Sequence, residues 1–260
     1  VLAVCLVLGL SPWGILSGIG AIGAILVLVF RDTILGLVAS VQVYGSGLVK
    51  EGDWIELKSL NIDGEVLEVG LHRVKVKAWD NTILTFPTSK FLDQTFKNWK
   101  GMQESGGRRI KRAILIDQSS VKFLDIKLEK NLSKLRLMES YLTSKKKELK
   151  EANQNKNLLK YKGNINRRTL TNLGCFRIYI HLYLKSHPDI NTKMTLMVRQ
   201  LTANQFGLPL ELYCFTDNTE WINYEKIQSD IFDHLLAAAP YFDIKIFQYP
   251  SGKDIQMLKS

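Results

Sequence analysis

Residues 1–30 contain no charged side chain. As one helix such a run would measure about 45 Å, against about 30 Å for the hydrocarbon layer of a membrane. Ser11-Pro12-Trp13 interrupts it. Serine caps helix starts and proline suits the first helical position. Residues 1–10 therefore read as the end of one spanning helix, and 11–31 as a second span. A chain that begins inside such a run reads as the C-terminal part of something longer. A signal peptide would carry a basic leading region and a cleavage site, and neither is present. A buried core helix is the other reading of so apolar a segment.

The second span is uneven along its length. Ser17, Gly18, Gly20, Ala21, Gly23 and Ala24 crowd its first half, and Ile25-Leu26-Val27-Leu28-Val29-Phe30 fill its second. Small residues let helix backbones approach closely in lipid. That pattern suits a ring of identical helices, and it also suits a simple dimer. Arg31-Asp32 ends the charge-free run, and Thr33–Val49 is again uncharged but rich in glycine and polar residues. Residues 32–49 read as an amphipathic helix at the membrane boundary, ending at Gly45/Gly47, with a bend at the charged dipeptide.

Beyond Lys50 the composition is that of a folded soluble body. Short strands are expected at Trp54–Leu57, Gly64–Val69, Arg73–Ala78 and Thr82–Phe86, with turns at Asp63-Gly64 and Asp80-Asn81. Residues 50–100 thus form a small barrel-like β domain. Residues 101–260 read as a second domain, with strands at Arg109–Asp117, Phe176–Leu184, Leu210–Phe215 and Phe242–Phe247 and helices at Thr192–Ala203 and Tyr224–Ala239. That alternation is an α+β plan close to ferredoxin-like.

Charge is concentrated. Lys122–Arg168 holds 14 basic and 5 acidic residues, a net +9 of the chain's +10. This stretch reads as an exposed helical insertion with a solvated charged face. Its densest basic clusters, Lys145–Lys147 and Arg167-Arg168, carry no interleaved aromatic platform to stack on bases, so no nucleic-acid partner is expected. The three cysteines, Cys5, Cys175 and Cys214, form no CxxC pair, which excludes a disulfide framework and a zinc signature, and reduced thiols fit a cytosol-facing body. The four histidines lack metal-ligand spacing, and no P-loop, GxGxxG, GxSxG or HExxH occurs. Glu65 with Glu68, and Asp230 with Asp233, lack a partnered nucleophile or base. Neither catalysis nor a cofactor is expected.

Gly18-Ile-Gly-Ala-Ile-Gly-Ala24, Arg31-Asp32, Lys50-Glu-Gly-Asp-Trp-Ile-Glu56 and Phe86-Pro-Thr-Ser-Lys90 follow one another in order. That ordered set resembles the small-conductance mechanosensitive channel (MscS-like) family. Arg199 to Pro209 and Tyr249-Pro-Ser-Gly252 are similar to its miniconductance branch. The resemblance implies an α-helical pore segment, then an Sm-like all-β domain and a ferredoxin-like α+β domain in the cytoplasm. It implies a homoheptamer in the bacterial inner membrane, with membrane lipids, further copies of itself and permeating ions and small solutes as partners. Tension would open it on hypoosmotic shock. By position, Gly20, Ala21 and Gly23 would pack helix on helix. Ala24 and Leu28 would face the pore, Leu28 as the hydrophobic constriction. Arg31, Asp32 and Gly36 would form the kink region; the family's kink glycine falls on Asp32 here. Residues 122–168 look like an insertion with no assigned role.

One pore-lining helix per chain encloses a lumen only in a ring. Seven helices about 8 Å apart lie on a circle of about 9 Å radius, which leaves about 4 Å for the lumen after a helix half-width of about 5 Å. A leucine ring can close so narrow a lumen by dewetting. The alternative function is a membrane-anchored scaffold whose β domain and basic insertion bind a protein or nucleic acid through Lys145–Lys147 and Arg167–Arg168.

Overall fold

In a computed structural model, the structure describes residues 12–154 and 163–250. The expected helix end at 1–10, Cys5, the middle of the insertion and the last part of Tyr249–Gly252 lie outside the described residues. The chain divides into two units, Val1–Glu104 and Ser105–Ser260.

The first unit opens with one helix, α1 (Pro12–Ser46). It runs through Arg31 and Asp32 without a break, so the two expected helices are one. Arg31-Asp32-Thr33-Ile34-Leu35 contains neither proline nor glycine, and nothing in the single chain removes an i→i−4 bond there. The helix stops where a left-handed residue is available, at Gly47 with φ 63°.

Strands β1 (Trp54–Leu57), β2 (Ile62–Val69), β3 (Arg73–Ala78), β4 (Ile83–Pro87) and β5 (Lys97–Asn98) form an antiparallel sheet ordered β4-β3-β2-β1-β5. Short helices α2 (Lys90–Asp93) and α3 (Lys100–Glu104) flank β5. Alternation decides which side chains go inward. Ile62, Gly64, Val66 on β2 and Val74, Val76 on β3 are buried, with charged residues between them. The core also takes Ile55, Leu57, Phe86, Phe91 and, from the α1 end, Val43 and Val49. β2 is bulged between Val66 and Glu68. Gly64 sits between β1 and β3, where a Cβ would stand 2.2 Å from the Lys77 carbonyl oxygen.

The second unit carries β6 (Arg108–Ile116), α4 (Ile126–Leu132), α5 (Glu139–Ala152), α6 (Asn172–Ser186), β7 (Met197–Gln200), β8 (Leu208–Thr216) and α7 (Trp221–Ala238). Its sheet is ordered β6-β8-β7, all antiparallel. The segment after α7 returns along β6 through Asp117 N–Lys245 O (2.9 Å) and Phe247 N–Leu115 O (2.8 Å). Strand order and direction are compatible with a ferredoxin-like plan, but three elements differ from expectation. Phe176–Leu184 is helical: Thr171 caps it by accepting from Gly174 N (3.0 Å), and Phe176, Ile180 and Leu184 recur every four residues on the buried stripe. Within Thr192–Ala203 lies β7, not a helix, because Arg199 and Gln200 pair with Glu211 and Leu210. Phe242–Phe247 makes one bridge, Ile116–Ile246, rather than a regular strand. The insertion is helical but not simply exposed: Leu128, Leu132, Met138 and Leu142 join the core with Phe176 and Ile180.

Candidate functional site: the apolar helix and its anchor

Between Trp13 and Ser46 helix α1 is long and apolar enough to cross a membrane, and none of its most apolar window is buried. A soluble core helix would be covered on at least one face. From Trp13 to Phe30 the rise is about 26 Å, close to the hydrocarbon thickness. Trp13, 80% exposed, stands at one end of that span and Arg31-Asp32 at the other. An aromatic residue at one interface and charges at the other is the usual marking of a spanning segment.

Every expected pore residue is on this exposed section. Leu28 is 72% exposed, and Ala24 is exposed as well. A Cβ added at Gly20 or Gly23 would meet nothing within 4 Å. Among the described residues nothing packs on this part of the helix.

Below Arg31-Asp32 the environment changes. Gly36, Ala39, Ser40 and Val43 are buried at helical spacing. They face the turn between β2 and β3. Ser40 Oγ lies 2.6 Å from the Leu71 carbonyl and 2.8 Å from that of Gly36, so its single proton serves both. Tyr44 donates to the Val69 carbonyl. Gly36 is close enough that a Cβ would touch His72 Nδ1 at 3.5 Å.

The same turn is held from its other side. Thr88, fully buried, donates to the Gly70 carbonyl (2.9 Å), and its amide donates to His72 O (3.2 Å). Phe86 and Phe91, on either side of it, meet edge to face at 5.4 Å. So Phe86-Pro-Thr-Ser-Lys90 is a clasp on the residues that carry α1.

The helix exit has its own hub. The Asp53 carboxylate accepts from Lys50 N (2.9 Å) and Asn98 Nδ2 (2.9 Å), and Asn98 Nδ2 also donates to Leu48 O (3.0 Å). This ties the segment after α1 to β1 and β5. Sequence reasoning named Asp53 and Thr88 only within the segments Lys50–Glu56 and Phe86–Lys90, and missed them, with Ser40, Tyr44 and Asn98, as anchors. The available signal was polarity: Ser40 and Tyr44 interrupt an otherwise apolar face.

Among the described residues of the second unit, the thiols and histidines lie in structural surroundings. Burial pushes the Cys175 thiol up to about 11 and Cys214 up to about 12, where a thiol is no nucleophile at neutral pH. His181 lies mid-helix in α6, and His234 Nε2 is hydrogen-bonded to Tyr179 Oη at 2.8 Å. Among the described residues, no group of His, Cys, Asp and Glu is arranged to hold a metal. Part of each basic cluster of the insertion pairs with the insertion's own carboxylates: Lys145 and Arg168 with Glu148 (2.6 and 3.1 Å), and Lys146 with Glu129 (2.7 Å).

Residues 32–101 match the family described as mechanosensitive ion channel, beta-domain. An uncharacterized MscS family protein of Helicobacter pylori is 24% identical over 245 residues, 94% of this chain and 35% of that protein. The low conductance mechanosensitive channel YnaI of Escherichia coli is 25% identical over 228 residues, 86% of this chain and 50% of that protein. The chain thus spans about a third to a half of these relatives. Among solved structures, Arabidopsis thaliana MSL1 superposes with a TM-score of 0.61 at 14% identity, covering 92% of this chain and 68% of that one. Helicobacter pylori MscS in its closed state superposes at 0.55 and 13% identity, covering 94% and 75%.

Proposed function

We propose that this chain, an MscS-like family protein, is the pore helix and soluble body of a mechanosensitive ion channel opened by membrane tension. The observation that carries the reading is α1 itself. It is an uncovered apolar span that continues, without a joint, into a stripe bolted to the β domain. A helix anchored at one end and bare along its span leaves room for lipid and for further helices, and its small residues suit contact with further copies. Several copies would enclose a lumen. The ring is a homo-oligomer, a heptamer by its resemblance, in a bacterial inner membrane with both soluble units in the cytoplasm.

In the closed ring Ala24 and Leu28 face the lumen, and Leu28 constricts it. Gly20, Ala21 and Gly23 allow close packing. Tension favours whichever state occupies more membrane area, and acts only through that difference. A wider ring separates the Leu28 side chains, and water then fills the constriction. Arg31 to Gly36 is where bending would occur on assembly. Ions and small solutes leave through the lumen on hypoosmotic shock.

Suction ramps on liposome patches holding the full-length protein test this. Stepwise currents that rise with tension are expected. Silence up to rupture, with the protein shown to be inserted and assembled, would overturn the reading.

A further inference from the structure

Arg31 and Asp32 are the only charges on α1, and they are consecutive. Both are exposed. Among the described residues neither takes part in an ion pair within the chain. Nor do they suit each other, because successive helical side chains point about 100° apart. Two opposite charges at the end of an apolar span are left to find partners elsewhere.

Ring geometry supplies them. In a closed ring each helix touches two neighbours, and their directions differ by about 108° for five members and about 135° for eight, measured on the lumen side. The 100° between Arg31 and Asp32 is close to that angle for any ring in this range. One side chain then points to the preceding copy and the other to the following copy, at almost equal height.

We propose that Arg31 of each copy pairs with Asp32 of the next, head to tail, in a closed collar at the boundary of the apolar span. The contact is heterologous: each copy gives a cation on one side and an anion on the other, and the collar is complete only when the ring closes. This rests on the channel reading and adds the contact that orients its helices.

The orientation has an independent check. If Arg31 and Asp32 flank the lumen, their bisector points into it. Stepping back by 3.6 residues from that direction reaches Leu28, then Ala24, Ala21 and Ser17, each within about 30° of it. The opposite sector holds Phe30, Leu26, Ile22 and Ile19, each within about 50° of the outward direction. The charges therefore put Ser17, Ala21, Ala24 and Leu28 on the inside and Ile19, Ile22, Leu26 and Phe30 toward lipid. Gly20 falls toward a neighbour, at about 70° from the lumen direction, and Gly23 falls on the lipid-side flank at about 130°, so this orientation keeps Gly20 in the helix contact proposed above but moves Ala21 to the lumen and Gly23 out of it.

Cysteine cross-linking tests the contact. Axes about 8–10 Å apart leave about 3.5–5.5 Å between facing Cα atoms, close to disulfide reach. The full-length protein carrying Arg31→Cys and Asp32→Cys together, with Cys5→Ser, is oxidised in membranes and run without reductant. A ladder of covalent species from dimer to the whole ring is expected. Either cysteine alone should give no ladder, and Val29→Cys with Phe30→Cys should stay monomeric. As a second measurement, Arg31→Asp should lower the recovery of intact oligomer, and adding Asp32→Arg should restore it. A cysteine pair that stays monomeric or stops at dimer, or a charge swap that restores nothing, overturns the collar. If tension-gated currents persist in that case, the channel reading stands without it. A full ladder with no such current would uphold the collar and sink the channel reading.

Discussion

Gly64→Ala tests whether the β domain is as tightly drawn as its geometry indicates. The added Cβ would stand 2.2 Å from Lys77 O, 2.8 Å from Lys77 C and 2.9 Å from Ala78 Cα. All three atoms are backbone, so no side chain can swing aside. An ordinary contact needs at least 3.4 Å. β2 and β3 would have to part by roughly 1 Å at the centre of the sheet, a shift a close-packed interior resists. Gly64 also pairs with Ile55 on β1, and Val66 and Val76 next to it are almost fully buried. Overpacking alone costs about 1–3 kcal/mol. Weakening adjacent ladder hydrogen bonds adds about 1 kcal/mol each. A loss of roughly 3 kcal/mol lowers the melting temperature of a domain this size by more than about 10 °C. Gly101→Ala is the matched control. Gly101 lies in α3 with nothing within 4 Å of its would-be Cβ, so alanine there should be neutral or stabilise by about 0.5–1 kcal/mol. The assay is thermal unfolding of the detergent-solubilised full-length protein, followed by the fluorescence of its tryptophans, with proteolysis between β2 and β3 as a second probe. A Gly64→Ala protein that melts with the parent would refute the close-approach argument.

Three further outcomes follow from the anchor and the core. Thr88→Val keeps the shape but leaves Gly70 O without its partner, which should cost about 1–3 kcal/mol and raise amide exchange in residues 69–72. Asn98→Ala removes the bonds to Leu48 O and Asp53, so amides at 48–53 should exchange faster while those of β3 stay protected. Cys175 and Cys214 should resist alkylation at pH 8 in the folded protein and react within minutes once unfolded; rapid native labelling of either would contradict its burial.

What was legible in the sequence followed a clear rule. Period-two alternation identified β3, where one face is buried and the other charged, whereas Asp63-Gly64, expected as a turn, lies inside β2 and continues its alternation. A charge-free run identified the first half of α1, because a stretch that long and apolar is what a spanning helix requires. The two periods could not be told apart in Phe-Arg-Ile-Tyr-Ile-His-Leu-Tyr-Leu, where apolar residues satisfy both alternation and every-fourth spacing. Packing of Phe176 on Phe242 and the Thr171 cap decided for the helix. The insertion misled for a related reason. Its many lysines hid Leu128, Leu132, Met138 and Leu142, which are enough to fasten two helices to the core. Ala24, Leu28 and the glycines could be placed on one exposed helix because they are close in sequence; their part in a pore is the proposal made above. The anchor could not, because Ser40, Leu71 and Thr88 come together only through the β2–β3 turn. The break expected at Arg31-Asp32 is absent, because the charged pair brings no proline or glycine that would remove an i→i−4 bond there. The miniconductance assignment rested partly on Tyr249–Gly252, and none of the relatives named above is described as such a channel.

In the proposed channel Leu28 lines and closes a lumen opened by tension. The most direct test is the opening tension of full-length Leu28→Ser channels, measured beside the parent protein in liposome patches of one lipid composition. A hydroxyl ring hydrates the constriction, so the variant should open at clearly lower tension, while Leu26→Ser on the outward face should not lower it in the same way. Equal thresholds for Leu28→Ser and parent, with both assembled and conducting, would contradict the account.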